Sequence, residues 1–255
     1  MPPRRSPDRR PHREAAKPQR AAPAALPPDL PSALAALEAR ATPATLAGMA
    51  RYALPSTGAL GVAVGDIQRV AKLLGQHHAL AAELWQSGIF EARMLAAYVD
   101  EPGKVTVAQM DRWARDFDNW GICDTVCFVL FDRTPHAWAR VEAWSGRKEE
   151  YVRRAAFALL WGLTRHDRDA PDELFLHGLE LIAAAATDER PYVQKAVNMA
   201  LRATGKRNPA LRRAAVAVAL RLAAATDPGP RWVGKDALRE LQPTARKPTP
   251  KRTDR

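Results

Sequence analysis

The sequence predicts an all-α fold, a solenoid of repeated helical units, and three observations carry that prediction. Apolar residues recur at helical spacing throughout the body, and no run alternates with period two for long enough to make a strand. The connections between these segments are short and polar, as antiparallel helix pairs require. One helical segment also recurs 41 residues further along the chain.

Taken in order, Ala/Leu-rich amphipathic segments at 32–41, 42–53, 65–74, 77–86 and 89–99 read as helices separated by Pro, Gly or Ser. Helices follow at 105–114, 118–131, 136–143, 149–164, 173–186, 191–204, 209–225 and 234–241. The repeat lies among them: Tyr151-Val152-Arg153-Arg154-Ala155-Ala156-Phe157-Ala158-Leu159-Leu160 aligns with Tyr192-Val193-Gln194-Lys195-Ala196-Val197-Asn198-Met199-Ala200-Leu201. A unit of about 40 residues is the period of HEAT-type solenoids. Residues 90–99 and 117–126 enter the frame more loosely, each opening on an aromatic residue, so the array is degenerate.

At 255 residues the chain can bury a substantial core, and 47% hydrophobic with 26% charged is ordinary for a soluble globular protein. The net charge of +11 is unevenly spread. Residues 1–20 hold seven Lys/Arg against two acids, and residues 246–255 hold five against one, which leaves the body at about +2. Proline concentrates in the same tails, so 1–28 and 243–255 are expected to be disordered and basic, flanking one folded domain at 29–242. No apolar run reaches the roughly 18 residues of a membrane span and no secretory segment is visible. An intracellular, cytoplasmic protein is expected, nucleoid-associated if bacterial, working as a monomer with no membrane and no obligatory protein partner.

Within the repeat frame, the second, sixth, ninth and tenth positions fall on one arc, the expected core: Val152, Ala156, Leu159 and Leu160, then Val193, Val197, Ala200 and Leu201. The fourth position lies on the far side and holds Arg93, Trp120, Arg154 and Lys195 in the four copies, and the eighth holds Ala97, Asp124, Ala158 and Met199. Stacking would gather these into a strip of cations interrupted by an indole and a carboxylate one helical turn apart, extended by Arg202. A ring face attracts positive charge and a carboxylate stabilises it, so Trp120 with Asp124 suits a flat cation, while the Lys/Arg row suits phosphates. On spacing alone the plainer reading is a Trp120 packed at a helix junction and an Asp124 paired with a nearby Arg, and the rest of the chain has to outweigh it.

Other residue types are quieter. Cys123 and Cys127 lie four apart on one helix, poorly aimed for a disulfide and without further ligands for zinc, and read as buried thiols. His77 and His78 open a helix without a third ligand. Trp113, Trp138, Trp144 and Trp161 read as packing residues, and no Gly-rich phosphate loop follows a strand. Neither a metal nor a cofactor is expected.

Residues 84–93 (Leu-Trp-Gln-Ser-Gly-Ile-Phe-Glu-Ala-Arg), 118–126, Tyr151 to Phe157, and 188–208 follow one another in an order that resembles the AlkD-like DNA alkylation repair proteins, HEAT-like all-helical DNA glycosylases. The resemblance covers roughly 49–241. It implies a concave basic face that holds duplex DNA, and excision of purines alkylated at N3 or N7. It implies Trp120 as a lesion-contacting aromatic, Asp124 as the catalytic carboxylate, and Arg153 and Arg202 as DNA contacts; helical geometry adds Arg154 beside Arg153. Well-characterised members carry a second tryptophan where this chain has Met199, a thioether without an aromatic face. Two other readings stand beside a glycosylase: a DNA-structure-binding member with weakened or absent excision, and a HEAT scaffold for protein partners.

Overall fold

The computed structural model describes residues 25–242, so most of both basic tails lies outside the described residues. The described residues form thirteen α-helices and no strand, in agreement with the all-α repeat expectation. At the N-terminal end, α1 (Leu30–Glu38) is followed by α2 (Pro43–Gly48), which runs into a 3-10 turn, Met49–Tyr52. Then α3 (Val64–Leu74), α5 (Phe90–Val99), α7 (Trp120–Val129), α9 (Glu150–His166), α11 (Pro191–Arg207) and α13 (Pro228–Leu241) pack each against the next as one layer. The alternate helices α4 (His78–Gln86), α6 (Val107–Arg115), α8 (Ala137–Ser145), α10 (Asp172–Ala185) and α12 (Pro209–Ala223) make the other layer, where α8 touches α10 and α10 touches α12. All four copies of the repeat frame therefore sit in the first layer, on α5, α7, α9 and α11.

Local chemistry sets the boundaries. Asn119 accepts from Ile122 N at 2.9 Å and starts α7 at Trp120, two residues later than expected. Leu130 leaves the helical conformation (φ −124°, ψ −59°), which ends α7 at Val129 and opens a 3-10 turn at Phe131–Arg133. The largest difference is α13, which begins at Pro228, not at 234. Pro228 and Pro230 fall in its first turn, where backbone N–H groups have no helical partner to lose, so a Pro-Gly-Pro run that reads as a breaker starts a helix instead.

The expected core arc is buried at every position: Val152, Ala156, Leu159, Leu160, Val193, Val197, Ala200 and Leu201. Each fully buried Val or Leu among them stabilises the fold by about 1.5–3 kcal/mol. The opposite arc is not uniformly wet, which corrects the sequence reading. Ala97, Asp124, Arg154 and Ala158 are also buried. The cause is position in the array: α9 is covered by α7, α8 and α11 together, so an interior helix has neighbours on more than one side.

Helices α12 and α13 approach one another closely at Gly234. A Cβ on Gly234 would stand 2.3 Å from Ala223 N and 2.5 Å from Ala219 O, backbone atoms that cannot rotate away. Gly234→Ala is therefore expected to lower stability by about 1–3 kcal/mol, overriding alanine's better helix propensity. Denaturant melts that show equal or greater stability would refute the close approach. No helix among the described residues is long and apolar enough to cross a membrane.

Candidate functional site

The site is assembled on the N-terminal turn of α7. Trp120 is its first residue, and the indole Nε1 donates to Tyr52 O at 2.9 Å, joining α7 to the end of the 49–52 turn. Gly121 lets α7 sit close to the segment that follows the turn: a Cβ there would lie 2.9 Å from Leu54 Cδ2, and the Leu54 side chain would have to shift. The turn ends at Ala53, a non-glycine residue in the left-handed region (φ 52°). Further along, residues 60–62 before α3 are anchored by buried Glu91, whose carboxylate accepts from Leu60, Gly61 and Val62 backbone N–H groups at 2.7 to 3.1 Å.

One helical turn beyond Trp120, Asp124 is 8% exposed. Its two oxygens accept from Arg154 Nε at 2.9 Å and Nη2 at 2.7 Å, a bidentate fork, and Arg154 Nη1 donates to Tyr192 O at 2.7 Å. Burial pushes the Asp124 carboxyl above the usual carboxylate range, and the Arg154 guanidinium opposes it by charge and hydrogen bonding. The Asp124 carboxyl group is thus held in one orientation by a guanidinium whose three nitrogens are all hydrogen-bonded. Arg154, expected on an open strip facing phosphate, is instead 3% exposed and inside the protein.

On α11, Lys195, Met199 and Arg202 follow one another at helical spacing. Lys195 is exposed, its Nζ lies 5.7 Å from the Tyr192 ring centroid, and among the described residues it has no carboxylate at ion-pair distance. Arg202 is different: Nη1 pairs with Glu240 at 2.9 Å and Asp236 at 3.8 Å, and buried Nε has no hydrogen-bond partner. Glu240 also pairs with Lys206.

Trp120, Asp124, Arg154, Lys195, Met199 and Arg202 all line one cavity of about 530 Å³. Arg93 and Arg153, named with them from sequence, are not among its lining residues. Arg93 lies over the Trp85 ring, 5.2 Å from its centroid, with its donors on Trp85 O and Asp116 O. Arg153 donates to Ser145 O at 2.8 Å and pairs with Asp188 at 2.9 Å. Burial of Asp188 is outweighed by hydrogen bonds from Arg190 and by the charge of both arginines, which hold its carboxyl below the usual range. Arg153 is thus held in a structural ion-pair cluster.

The cavity also contains residues that the sequence reading did not select: Arg51 and Tyr52 from the 49–52 turn, and Trp232 from α13. A signal for Trp232 was present. Trp232-Val233 follows Tyr192-Val193 by 40 residues, another aromatic-Val step of the repeat frame, with Val233 fully buried as the frame requires. Beside this cavity lies a larger, mainly apolar one of about 850 Å³, lined by residues such as Phe90, Met94, Phe128 and Trp161, and sharing Trp120, Asp124 and Met199. Trp113 and Trp144 are buried as expected, and Trp113 stacks on Trp85 with centroids 4.0 Å apart. Cys123 and Cys127 are buried free thiols.

Residues 33–241 match the family model described as DNA alkylation repair enzyme. No curated protein matches the chain in sequence. Among solved structures, one described as "a new family of proteins related to the HEAT-like repeat DNA glycosylases with affinity for branched DNA structures" superposes with a TM-score of 0.69 at 20% identity, covering 84% of this chain and 96% of that chain. At that identity the likeness establishes the fold, a HEAT-like helical repeat. The family model spans most of the chain, and the chain belongs to the DNA alkylation repair enzyme family.

Proposed function

We propose that the protein is a monofunctional DNA glycosylase that hydrolyses the N-glycosidic bond of N3- or N7-alkylated purines in duplex DNA. The observation that carries this reading is Asp124: a buried carboxylate, fixed bidentately by Arg154, in a cavity that also holds Trp120. A carboxylate is stored in such a place at a cost in desolvation, which is a signature of a working group.

Alkylation at N3 or N7 leaves the purine positively charged. When the C1′–N bond breaks, its electron pair neutralises the base, which departs without needing a proton, and positive charge moves to the deoxyribose. Asp124 stabilises that oxocarbenium-like sugar electrostatically, from an orientation fixed in advance by Arg154. Water then adds at C1′ and loses a proton, which in this reading Asp124 accepts. One carboxylate suffices, and the chemistry calls for no metal or cofactor. Trp120 offers a ring for the cationic nucleotide, and exposed Lys195 and Arg51 offer charge to the phosphates beside it.

Met199 favours a second reading, a family member that binds DNA of particular structure without excising a base, because a thioether has no aromatic face for a cationic nucleotide. The two are separated by incubating the protein with duplex DNA carrying N7-methylguanine or N3-methyladenine. The expected result is release of free base above the spontaneous rate, with binding that weakens steeply with salt, log K falling by about 0.9 per phosphate contacted for each decade. Spontaneous-rate release with salt-sensitive binding intact would select the second reading; binding that is indifferent to salt would remove both in favour of a protein scaffold.

A further inference from the structure

Among the described residues five large hydrophobic side chains are exposed, and two of them, Tyr52 and Trp232, line the same cavity as Asp124. Trp232 is 43% exposed. It is the one exposed tryptophan among the described residues, and its indole N–H, like those of Trp113 and Trp161, donates to no protein acceptor among them, whereas those of Trp85, Trp120, Trp138 and Trp144 do. Leaving a large ring in water forfeits its burial, and it adds little to the core here. Its surroundings are specific. Trp232, Asp236 and Glu240 stand four residues apart on α13, one stripe of one face, and the two acids hold Arg202 of α11. Trp232 and Asp236 reach the cavity whose α11 wall offers Met199.

We infer that Trp232 supplies the aromatic face that Met199 lacks: with Trp120 it lines the cavity for the positively charged alkylated nucleotide, and it contacts that nucleotide by cation–π attraction. The inference rests on the glycosylase reading and assigns the ligand class of one cavity residue. Met199 lines the same cavity with its apolar thioether, and the electrostatic contact comes from the neighbouring helix.

The test uses two readouts on the native protein, Trp232→Ala, Trp232→Phe and Met199→Trp/Trp232→Ala. One is the rate of N3-methyladenine release. The other is the binding preference for duplex DNA carrying a cationic pyrrolidine abasic analogue over the same duplex carrying a neutral tetrahydrofuran. Trp232→Ala is expected to lower both by about tenfold, Trp232→Phe to retain most of each, and the double variant to regain them. Exposure of the ring means that thermal melts of Trp232→Ala stay close to native. Native release with both readouts unchanged in Trp232→Ala overturns this inference and leaves the glycosylase reading standing. A native protein that neither releases base nor prefers the cationic duplex overturns both. Equal losses in Trp232→Ala and Trp232→Phe with no recovery in the double variant reduce Trp232 to a packing residue and overturn the inference.

Discussion

Asp124→Asn is expected to release N3-methyladenine and N7-methylguanine about 100- to 1,000-fold more slowly than the native protein, the usual loss when one preorganised electrostatic group is removed from a reacting centre. Asn is nearly isosteric and retains one oxygen for Arg154, but it carries no charge to offset the developing oxocarbenium ion. Its amide also presents donors towards a guanidinium that has none to accept. Some stability is lost with the ion pair, so the comparison is made where circular dichroism shows both proteins folded. Tyr192 O still accepts from Arg154, which holds the guanidinium in place. Duplex binding and its salt dependence should persist, because the cations at the cavity rim do not depend on Asp124. Undiminished release by Asp124→Asn would take the catalytic role from this residue; parallel loss of binding and release would assign it a purely structural one.

Arg154→Met is expected to have the largest effect on the fold, a loss of about 3–5 kcal/mol in unfolding free energy, because it strands a buried carboxylate without its partner. The variant should also change how stability depends on pH. Burial already raises the Asp124 carboxyl in the native protein, against the opposing charge of Arg154. Removing the guanidinium raises it further. For an acid whose folded pKa exceeds its unfolded value, the stabilising contribution is complete below the unfolded pKa and is lost as pH rises through the folded one. Arg154→Met should therefore gain stability relative to native on going from pH 8 to pH 5, as read by denaturant melts at both values. The acid limb of base release, corrected for the spontaneous reaction, should move to higher pH in the same variant if the protein remains folded enough to assay. A pH-independent deficit would mean that Arg154 stabilises by packing, with little role in holding the carboxylate ionised.

Several parts of this protein were legible in the linear sequence. Helical periodicity and the 41-residue repeat determined that the described chain is an all-helical repeat, and one apolar arc of its core, because burial of an apolar arc is imposed by each helix on its own. The spacing of Trp120 and Asp124 was equally local: four residues on one helix place the two side chains together whatever surrounds them. Tertiary structure decided everything that depends on a neighbour. It turned Arg154 inward, since a helix in the middle of the layer is covered by α7, α8 and α11 and its cation pairs with Asp124. It drew Arg153 into a cluster around Asp188 and placed two acids of α13 against Arg202, charge pairings between residues 34 or more positions apart that no periodicity encodes. It also brought Trp232 into the cavity, by starting α13 at a Pro-Gly-Pro run whose missing N–H groups are harmless only in a first turn. The sequence by itself determined the repeat and the indole–carboxylate pair. Which cations stay free to meet a ligand, and which aromatics surround it, was decided by the packing of one helix against the next.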